Sequence, residues 1–299
     1  MMKKVFKALF SLLILLLFFT ACNKKEQPDI MTTLYPQYDI AKQIAGNKLT
    51  VSLMIPFGSE IHDFEPTAKD IIRVKNSKLF IYTSDEMERW SNNIIDESTN
   101  ALKLSKTYKL IPYENENAII DELHYWTDPT TIMQIINVVK NEIIKIDSEN
   151  EEYYEENANR YLEEINTVHE EIKTFLASKD NPRIFFYGHN AMAAFGSRYN
   201  LEIVSLSLNY KPDAELLPGQ ILALKNKIKA ENIKYLFVEE LIDLKSPNTL
   251  KNELTKEGYP ISILELHGFH NISKKQNEEA VSYVDLLRQN FENLKTALS

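Results

Sequence analysis

The sequence predicts an α/β protein with two lobes, each a small parallel sheet flanked by helices, joined by one long rigid connecting helix. Three observations predict this fold. In both halves of the chain, short β-branched and aromatic runs alternate with longer segments of helical spacing. Between the halves, apolar residues recur at steps of four and three from Tyr154 to Phe175, with glutamates on the remaining faces. With 299 residues, 44% of them hydrophobic, the chain is long enough for about two domains.

The N-terminal lobe is predicted to comprise residues 31–147. Its strand-like segments are residues 32–35, 49–55, 79–83 and 108–112. Its segments with helical spacing are residues 38–45, 67–76, 88–104 and 130–146. Pro129 stands where the first turn of the last helix would start, a position that tolerates the missing N–H of proline. Strands that alternate with helices in this way predict a parallel sheet.

The connecting helix is predicted over residues 148–179, and the C-terminal lobe over residues 180–299. Strand-like segments of this lobe are residues 184–187, 203–208, 235–238 and 261–266. Segments with helical spacing are residues 190–199, 213–230, 247–256 and 276–298. The same alternation as in the first half predicts a second parallel sheet.

Residues 1–21 are predicted to be a signal peptide. Three lysines precede an almost unbroken apolar run over residues 8–19, which is shorter than a membrane-spanning helix needs. The residues before Cys22 resemble the lipobox of bacterial lipoproteins, with Phe19 in place of the usual leucine. This resemblance implies that Cys22 is lipidated and that residues 22–30 form a lipid-anchored tether outside the cytoplasm. The alternative is an uncleaved membrane anchor with an incidental cysteine.

The composition excludes several classes of function. The formal charge of −9 argues against a nucleic-acid partner, because phosphate binding needs a concentrated positive face. Loss of the signal peptide would remove three lysines and leave a more acidic chain. The single cysteine excludes a disulfide framework within the chain, cysteine-rich zinc fingers and iron–sulfur clusters.

Four of the six histidines lie in loops at or next to the ends of predicted strands. In α/β proteins, ligands bind outside the carboxyl ends of strands. Two of the four come from each half of the chain, as a site between two lobes would require. Four imidazoles suit tetrahedral Zn²⁺, whereas manganese, calcium and magnesium favour carboxylate-rich sites. Position alone leaves each of them open to being a surface or hydrogen-bonded core residue. These histidines are His62, His124, His189 and His270.

Several short segments, taken in order, resemble the substrate-binding lipoproteins of bacterial zinc and manganese ABC importers over essentially the whole mature chain. The His-x-x-Glu-Pro-Thr block that starts at His62 is the most specific of them. The resemblance implies two α/β lobes joined by one long helix. The family's zinc importers often carry a histidine-rich loop between the first two ligands, and residues 63–123 contain no histidine. The segments are residues 32–36, 62–67, 124–129, 187–191, 199–201 and 283–287, with Asp70 and Asn290.

The resemblance also implies the metal ligands. It places the first three on His62, His124 and His189. Manganese importers tend to carry a carboxylate at the third position, so His189 indicates zinc. Counting back from the last matching segment places the fourth ligand on His270, where relatives usually have aspartate or glutamate. His267 is the alternative fourth ligand, and is otherwise expected to hydrogen-bond a ligand or to lie on the surface.

Five further residues have two interpretations each. Glu239 and Glu240 end a predicted strand, either as a solvated or capping pair or as carboxylates that hydrogen-bond a ligand histidine and offset part of the zinc charge. His169 begins a His-Glu-x-x segment without the second histidine of a zinc protease, and is expected to be solvated. Trp90 and Trp126 are expected to be core residues rather than the wall of a sugar or peptide cleft.

The predicted function is capture of Zn²⁺ in the cleft between the lobes and its delivery to an ABC permease driven by a cytoplasmic ATPase. The protein is expected to be a monomer and not an enzyme, since a closed shell of four ligands leaves no position for activated water. One alternative is a manganese- or iron-binding importer component. A second is a secreted zinc hydrolase with three histidines and an open position. A third is an adhesin or structural lipoprotein without metal dependence.

Overall fold

Two four-stranded parallel sheets form the framework of the protein. The computed structural model describes residues 27–61, 64–109, 123–187, 191–205 and 218–299. The strand order is β2-β1-β3-β4 in the first sheet and β6-β5-β7-β8 in the second. Parallel pairing directs the carboxyl ends of all strands of a sheet to one edge, where α/β proteins bind their ligands. The strands are β1 Ile30–Thr32, β2 Val51–Leu53, β3 Leu79–Tyr82, β4 Ala101–Lys103, β5 Arg183–Tyr187, β6 Glu202–Ser205, β7 Tyr235–Val238 and β8 Ser262–Glu265.

Helices connect and flank the strands in the described ranges. Single 3₁₀ turns lie at Leu104–Lys106, Tyr125–Thr127 and Ser148–Asn150. The architecture confirms the predicted fold class of two α/β lobes with a connecting helix. The α-helices are α1 Tyr35–Ala45, α2 Ala68–Lys75, α3 Ser91–Ile94, α4 Pro129–Ile146, α5 Glu151–Ala177, α6 Ala193–Arg198, α7 Pro218–Ala230, α8 Lys245–Lys256, α9 Lys274–Glu278 and α10 Tyr283–Leu298.

The connecting helix is α5, with 27 residues and a length of about 40 Å. Its apolar stripe is buried, as its spacing predicts, and packs against α1 and α4 of the first lobe and α10 of the second. One hydrophobic core therefore contains residues of both lobes and of the helix between them. The fully buried residues of the stripe are Tyr154, Ala158, Ile165, Val168 and Ile172.

The prediction for residues 88–104 was wrong. A single helical turn, α3, is followed by strand β4, whereas one helix was expected over residues 88–104. Asp96 ends the turn, because its Oδ1 accepts hydrogen bonds from the backbone N and the hydroxyl of Ser98. Short polar side chains of this kind offer the backbone an alternative to the helix. Residues 108 and 109 belong to no strand, and residues 110–112 lie outside the described ranges.

The start of the first lobe differs from its prediction by a few residues. The predicted tether over residues 22–30 extends too far, since Ile30 opens β1 and is fully buried. The predicted strand over residues 32–35 ends instead at Thr32, and α1 begins at Tyr35. Gln37 sets this helix start, because its Oε1 accepts the backbone N–H groups of Thr33 and Leu34, both at 3.1 Å.

The predicted C-terminal helix over residues 276–298 is broken into α9 and α10. Ala280 has a left-handed φ of 54°, which a continuous helix cannot contain. Ser282 then starts α10 through a capping box, in which Ser282 Oγ accepts from Asp285 N and Asp285 Oδ2 accepts from Ser282 N.

Residues 1–26, which include the predicted signal peptide and Cys22, lie outside the described ranges. Among the helices that are described, none combines the length and the apolar character needed to cross a bilayer.

Candidate functional site

Two of the four predicted ligand histidines face each other across the lobes. The ring centroids of His124, from the first lobe, and His270, from the second, are 5.4 Å apart at an interplanar angle of 74°. His62 and His189 lie outside the described residues. Within the described ranges, no group of three or more histidine, cysteine, aspartate or glutamate side chains is placed to hold a metal ion.

A short 3₁₀ turn positions His124. The carbonyl oxygen of His124 accepts hydrogen bonds from both the backbone N and the hydroxyl of Thr127, each at 3.0 Å. The half-buried His124 thus stands at the start of the turn Tyr125–Thr127, which leads directly into α4. Proline at the first position of α4 and Asp128 at its N-cap fix where the helix begins.

A buried carboxylate positions His270. Glu240 follows β7 by two residues, and His270 follows β8 by five. Glu240 accepts hydrogen bonds from Gly268 N at 2.6 Å and from His270 N at 3.0 Å. Its Oε1 also lies 2.9 Å from His270 Nδ1. A carboxylate can only accept here, so Nδ1 carries the proton and the lone pair of the ring is on Nε2, the tautomer of many metal-binding histidines.

Glu240 is ionised at neutral pH despite its burial. Burial alone raises the pKa of this carboxyl, but its electrostatic interaction with the neighbouring imidazoles of His267 and His270 and the hydrogen bonds that it accepts hold the pKa well below its usual range. Burial, together with the negative charge of Glu240, raises the pKa of neighbouring Glu265 to about 7. The site therefore contains a buried negative charge that favours a cation close to His270. Glu239 is buried too, so the solvated interpretation of both glutamates was wrong.

His267 has the opposite tautomer to His270. It is fully buried, so the expectation of a surface position was wrong. Its Nδ1 accepts the backbone N–H of Phe269 at 2.9 Å, which leaves the proton on Nε2 of the neutral ring. Within the described part of the chain, that Nε2 is buried without a hydrogen-bond partner. Burial also lowers the pKa of His267. To bind a metal through Nε2, the ring would have to place a proton on Nδ1 against the N–H of Phe269.

Gly268 is required for the close approach of Glu240 to His270. A Cβ atom at this position would lie 2.8 Å from both Cε1 and Nδ1 of His270, and 3.3 Å from Glu240 Oε2. The carbonyl oxygen of Gly268 accepts a hydrogen bond from Trp126 Nε1 at 2.9 Å. The ring of Trp126 lies 5.4 Å from that of His124 and 5.5 Å from that of His270. Trp126 is fully buried and Trp90 nearly so, which confirms their prediction as core residues.

The segments that lead to the other two predicted ligands approach the same place. Asn271 Nδ2 donates to the carbonyl oxygens of Pro56 at 2.8 Å and Ser59 at 2.9 Å. Gly58 N donates to Ile272 O at 2.8 Å. The loop before His62 is therefore fastened to the residues that follow His270. On the other side, Tyr187 at the end of β5 is paired with Val238 at the end of β7. His189 comes two residues after Tyr187 in the sequence.

His169 does not belong to this site, and its prediction as a solvated residue was wrong. It is buried, and its Nδ1 lies 2.8 Å from the hydroxyl of Tyr199. Burial lowers the pKa of His169, so the ring is neutral at neutral pH. The apolar stripe of α5 extends far enough around the helix to include it.

Apart from Glu240, sequence reasoning missed the residues that support His124 and His270. Gly268, Asn271 and Trp126 contribute through a missing Cβ, an amide and an indole N–H. The only local sign in the sequence is that two histidines, a glycine and an asparagine occur together in the segment from His267 to Asn271.

The family that this chain matches and two of its curated relatives are zinc-uptake or zinc-binding proteins. Residues 30–297 match the family described as zinc-uptake complex component A, periplasmic (ZnuA). The chain is 28% identical over 294 residues to the high-affinity zinc uptake system protein ZnuA of Bacillus subtilis, covering 93% of this chain and 90% of that protein. It is 26% identical over 314 residues to the zinc-binding lipoprotein AdcA of Streptococcus pneumoniae, with 98% of this chain covered but only 61% of AdcA.

Solved structures show the same fold. The metal-dependent lipoprotein YcdH of Bacillus subtilis superposes with a TM-score of 0.77 at 28% identity, over 90% of this chain and 99% of that one. The periplasmic zinc-binding protein TroA of Treponema pallidum superposes with a TM-score of 0.74 at 18% identity, over 92% of this chain and 100% of that one. The second likeness concerns the fold alone.

Proposed function

The chain belongs to the family of periplasmic A components of zinc-uptake complexes, and we propose from this premise that it captures Zn²⁺ outside the cytoplasm and delivers it to an ABC importer. The observation that carries the proposal is the placement of His124 and His270, one from each lobe, with ring centroids 5.4 Å apart. Two imidazoles that bind one tetrahedral zinc at the usual Zn–N distance have centroids about 5 Å apart. The separation of the two rings therefore matches the one that a shared ion requires.

The proposed zinc ligands are His62, His124, His189 and His270. The contacts of Asn271 with the loop before His62 support the first, and the ends of β5 and β7 at one sheet edge support the third. Four neutral imidazoles leave the double charge of zinc uncompensated, so an anion nearby stabilises the bound ion. Glu240 has this role in the proposal, and it also orients His270 through Nδ1.

His270 is the proposed fourth ligand rather than His267. The lone pair of His270 is on Nε2, because Nδ1 donates to Glu240. The Nδ1 of His267 is occupied by Phe269 N, and the proton is on its Nε2. Binding through His267 would require a tautomer change and the loss of this buried hydrogen bond.

Capture and release, rather than catalysis, follows from a shell of this kind. Four protein ligands fill a tetrahedral zinc site and leave no position for an activated water molecule. Proteins of this family serve as the substrate-binding components of zinc ABC transporters, which act with a permease and an ATPase. We further propose that the protein is a monomer, is not an enzyme, and is anchored to the membrane by a lipid on Cys22.

Two variants test the ligand assignment, H270A and H267A. Zinc affinity is measured by competition with a chromophoric chelator on the chain that starts after Cys22. We expect one tight zinc ion per wild-type chain, a large loss of affinity in H270A, and a much smaller loss in H267A. The reverse order would make His267 the ligand. Tight zinc binding in both variants, together with turnover of a hydrolase substrate by the wild type, would favour an open three-histidine enzyme site.

A further inference from the structure

We infer that the ion pair between Asp128 and Arg198 is a positioning pair, which holds the turn that carries His124 against helix α6 of the other lobe. This inference rests on the proposed function, in which His124 binds the zinc ion. Neither Asp128 nor Arg198 is a proposed ligand. The two residues act on the metal only through the segments to which they belong.

The pair has the geometry of a fixed, directional contact. Arg198 Nε lies 2.9 Å from Asp128 Oδ2 and 3.1 Å from Oδ1, and Nη2 lies 2.7 Å from Oδ2. The side chain of Asp128 is 1% exposed and that of Arg198 is 10% exposed. A forked guanidinium contact of this kind fixes orientation as well as distance, and water screens it little in a buried position.

Asp128 is rigidly connected to His124. The backbone N of Thr127 donates to the carbonyl of His124, and the backbone N of Asp128 donates to that of Tyr125 at 3.1 Å. These bonds make residues 124–128 one compact turn. A displacement of Asp128 therefore displaces His124.

Arg198 belongs to the segment that follows His189. It is the last residue of α6, which begins at Ala193, four residues after His189 in the sequence. This helix packs directly against the turn Tyr125–Thr127. Its C-terminal end is also attached to the connecting helix, since the hydroxyl of Tyr199 lies 2.8 Å from His169 Nδ1.

The ion pair adds to a helix cap that is already complete without it. Asp128 Oδ1 accepts hydrogen bonds from Thr130 N at 2.9 Å and from the Thr130 hydroxyl at 2.8 Å. The N-cap of α4 would be satisfied by these bonds alone. Arg198 reaches the same carboxylate from the other lobe. The contact therefore joins the two lobes and is not needed to start α4.

The test uses D128N, R198K and R198Q in the purified protein. Asparagine keeps the N-cap but removes the charge, and lysine keeps the charge but removes the fork. Zinc dissociation into excess chelator is followed by stopped flow, and the absorption bands of bound Co²⁺ report the geometry of the metal site. We expect dissociation about 10-fold faster in D128N and R198Q, with altered Co²⁺ bands, and a smaller change in R198K. The double variant D128N/R198Q should release zinc no faster than the single variants.

The matched control is K75Q, which removes an exposed ion pair between Lys75 and Asp96 at 2.8 Å. It should leave both readouts unchanged. Folded D128N and R198Q with wild-type Co²⁺ bands and wild-type zinc dissociation would overturn the inference. If R198Q does not fold, D128N and R198K decide between the same outcomes. A wild-type protein that binds neither zinc nor Co²⁺ would instead overturn the proposed function.

Discussion

At the residue scale, the site depends on which atoms surround each imidazole. Glu240 holds the proton of His270 on Nδ1, whereas Phe269 N holds the proton of His267 on Nε2. Two histidines three residues apart are thereby made chemically different. The buried charge of Glu240 then favours a cation over a neutral ligand at this place.

G268A should weaken zinc binding without removing a ligand. The added Cβ would lie 2.8 Å from the ring of His270, too close for a real contact, so that the ring or Glu240 must move. We expect a loss of about 10-fold or more in zinc affinity, the range found for partners that orient a ligand. Chelator competition measures it. G219A is the matched control, because a Cβ at Gly219 meets nothing within 4 Å. Equal zinc affinity in G268A and G219A would contradict the close approach of the His270 ring to Gly268.

E240Q should weaken zinc binding through charge and orientation together. The single amide oxygen of glutamine can accept from His270 N or from Gly268 N but not from both, because the two groups donate to different oxygens of Glu240, and the neutral amide no longer offsets the charge of the ion. We expect a loss of about 10- to 100-fold in zinc affinity. E231Q, at an exposed position, is the control. Unchanged zinc affinity in E240Q would show that Glu240 neither orients a ligand nor stabilises the bound ion.

Part of the site could be predicted from single residues. A histidine at a strand end is visible in the sequence, and so is a carboxylate such as Glu240. The tautomer of His267 could not be predicted, because it depends on the local backbone path that brings Phe269 N to its ring. The need for Gly268 could not be predicted either, since it arises from the way the fold places the His270 ring and Glu240 against this position.

At the element scale, Asp39 joins three helices. It lies on α1, accepts a hydrogen bond from the hydroxyl of Tyr161 on α5, and accepts another from Tyr283 N at the start of α10 at 3.1 Å. Gln43 Nε2 donates to its other oxygen at 3.3 Å. Tyr283 also donates through its hydroxyl to Trp126 O at 2.9 Å. The junction of the lobes is thus built around one buried carboxylate, two contacts away from Trp126.

D39N should change how stability depends on pH. Burial raises the pKa of Asp39 to about 6, against the hydrogen bonds that lower it. The folded state then binds the proton more tightly than the unfolded state, so the contribution of Asp39 to stability is greatest at acid pH and is lost as pH rises through about 6. From pH 7.5 to pH 5, the wild type should therefore gain more than about 1 kcal/mol relative to D39N.

Urea unfolding at the two pH values measures this difference. Y161F removes a hydrogen-bond donor to the ionised carboxylate of Asp39, so the pKa of Asp39 should rise further. The free energy of unfolding of Y161F should therefore depend more steeply on pH than that of the wild type. D180N, at an exposed aspartate, serves as the control for a simple change of charge. A difference between wild type and D39N that stays constant over the pH range would contradict a buried, titrating Asp39.

The elements differ in how well local pattern predicts them. The long helix α5 could be predicted because its stripe repeats over many turns, and its own spacing outweighs any single contact. Strand β4 and the single turn α3 could not, because a strand of three residues is too short to be told from a helical segment by spacing. The partners of Asp39 lie 122 and 244 positions away, beyond any local pattern.

At the scale of the whole molecule, the two lobes have the same strand order, and each contributes one proposed ligand histidine to the contact between them. His124 belongs to one lobe and His270 to the other, while the loop before His62 is hydrogen-bonded across to Asn271. An ion bound between them stabilises the arrangement in which the lobes are together. Loss of the ion would remove this contribution, which suits a protein that must give up its cargo to a permease.

The most direct test is a competition titration of the chain that starts after Cys22, with zinc against a chromophoric chelator and manganese in parallel. We expect one zinc ion per chain, bound tightly and not displaced by manganese, because imidazole ligands suit zinc better than manganese. Tight manganese binding that displaces zinc would change the cargo. No tight binding of zinc would contradict the proposed capture of this ion in the cleft.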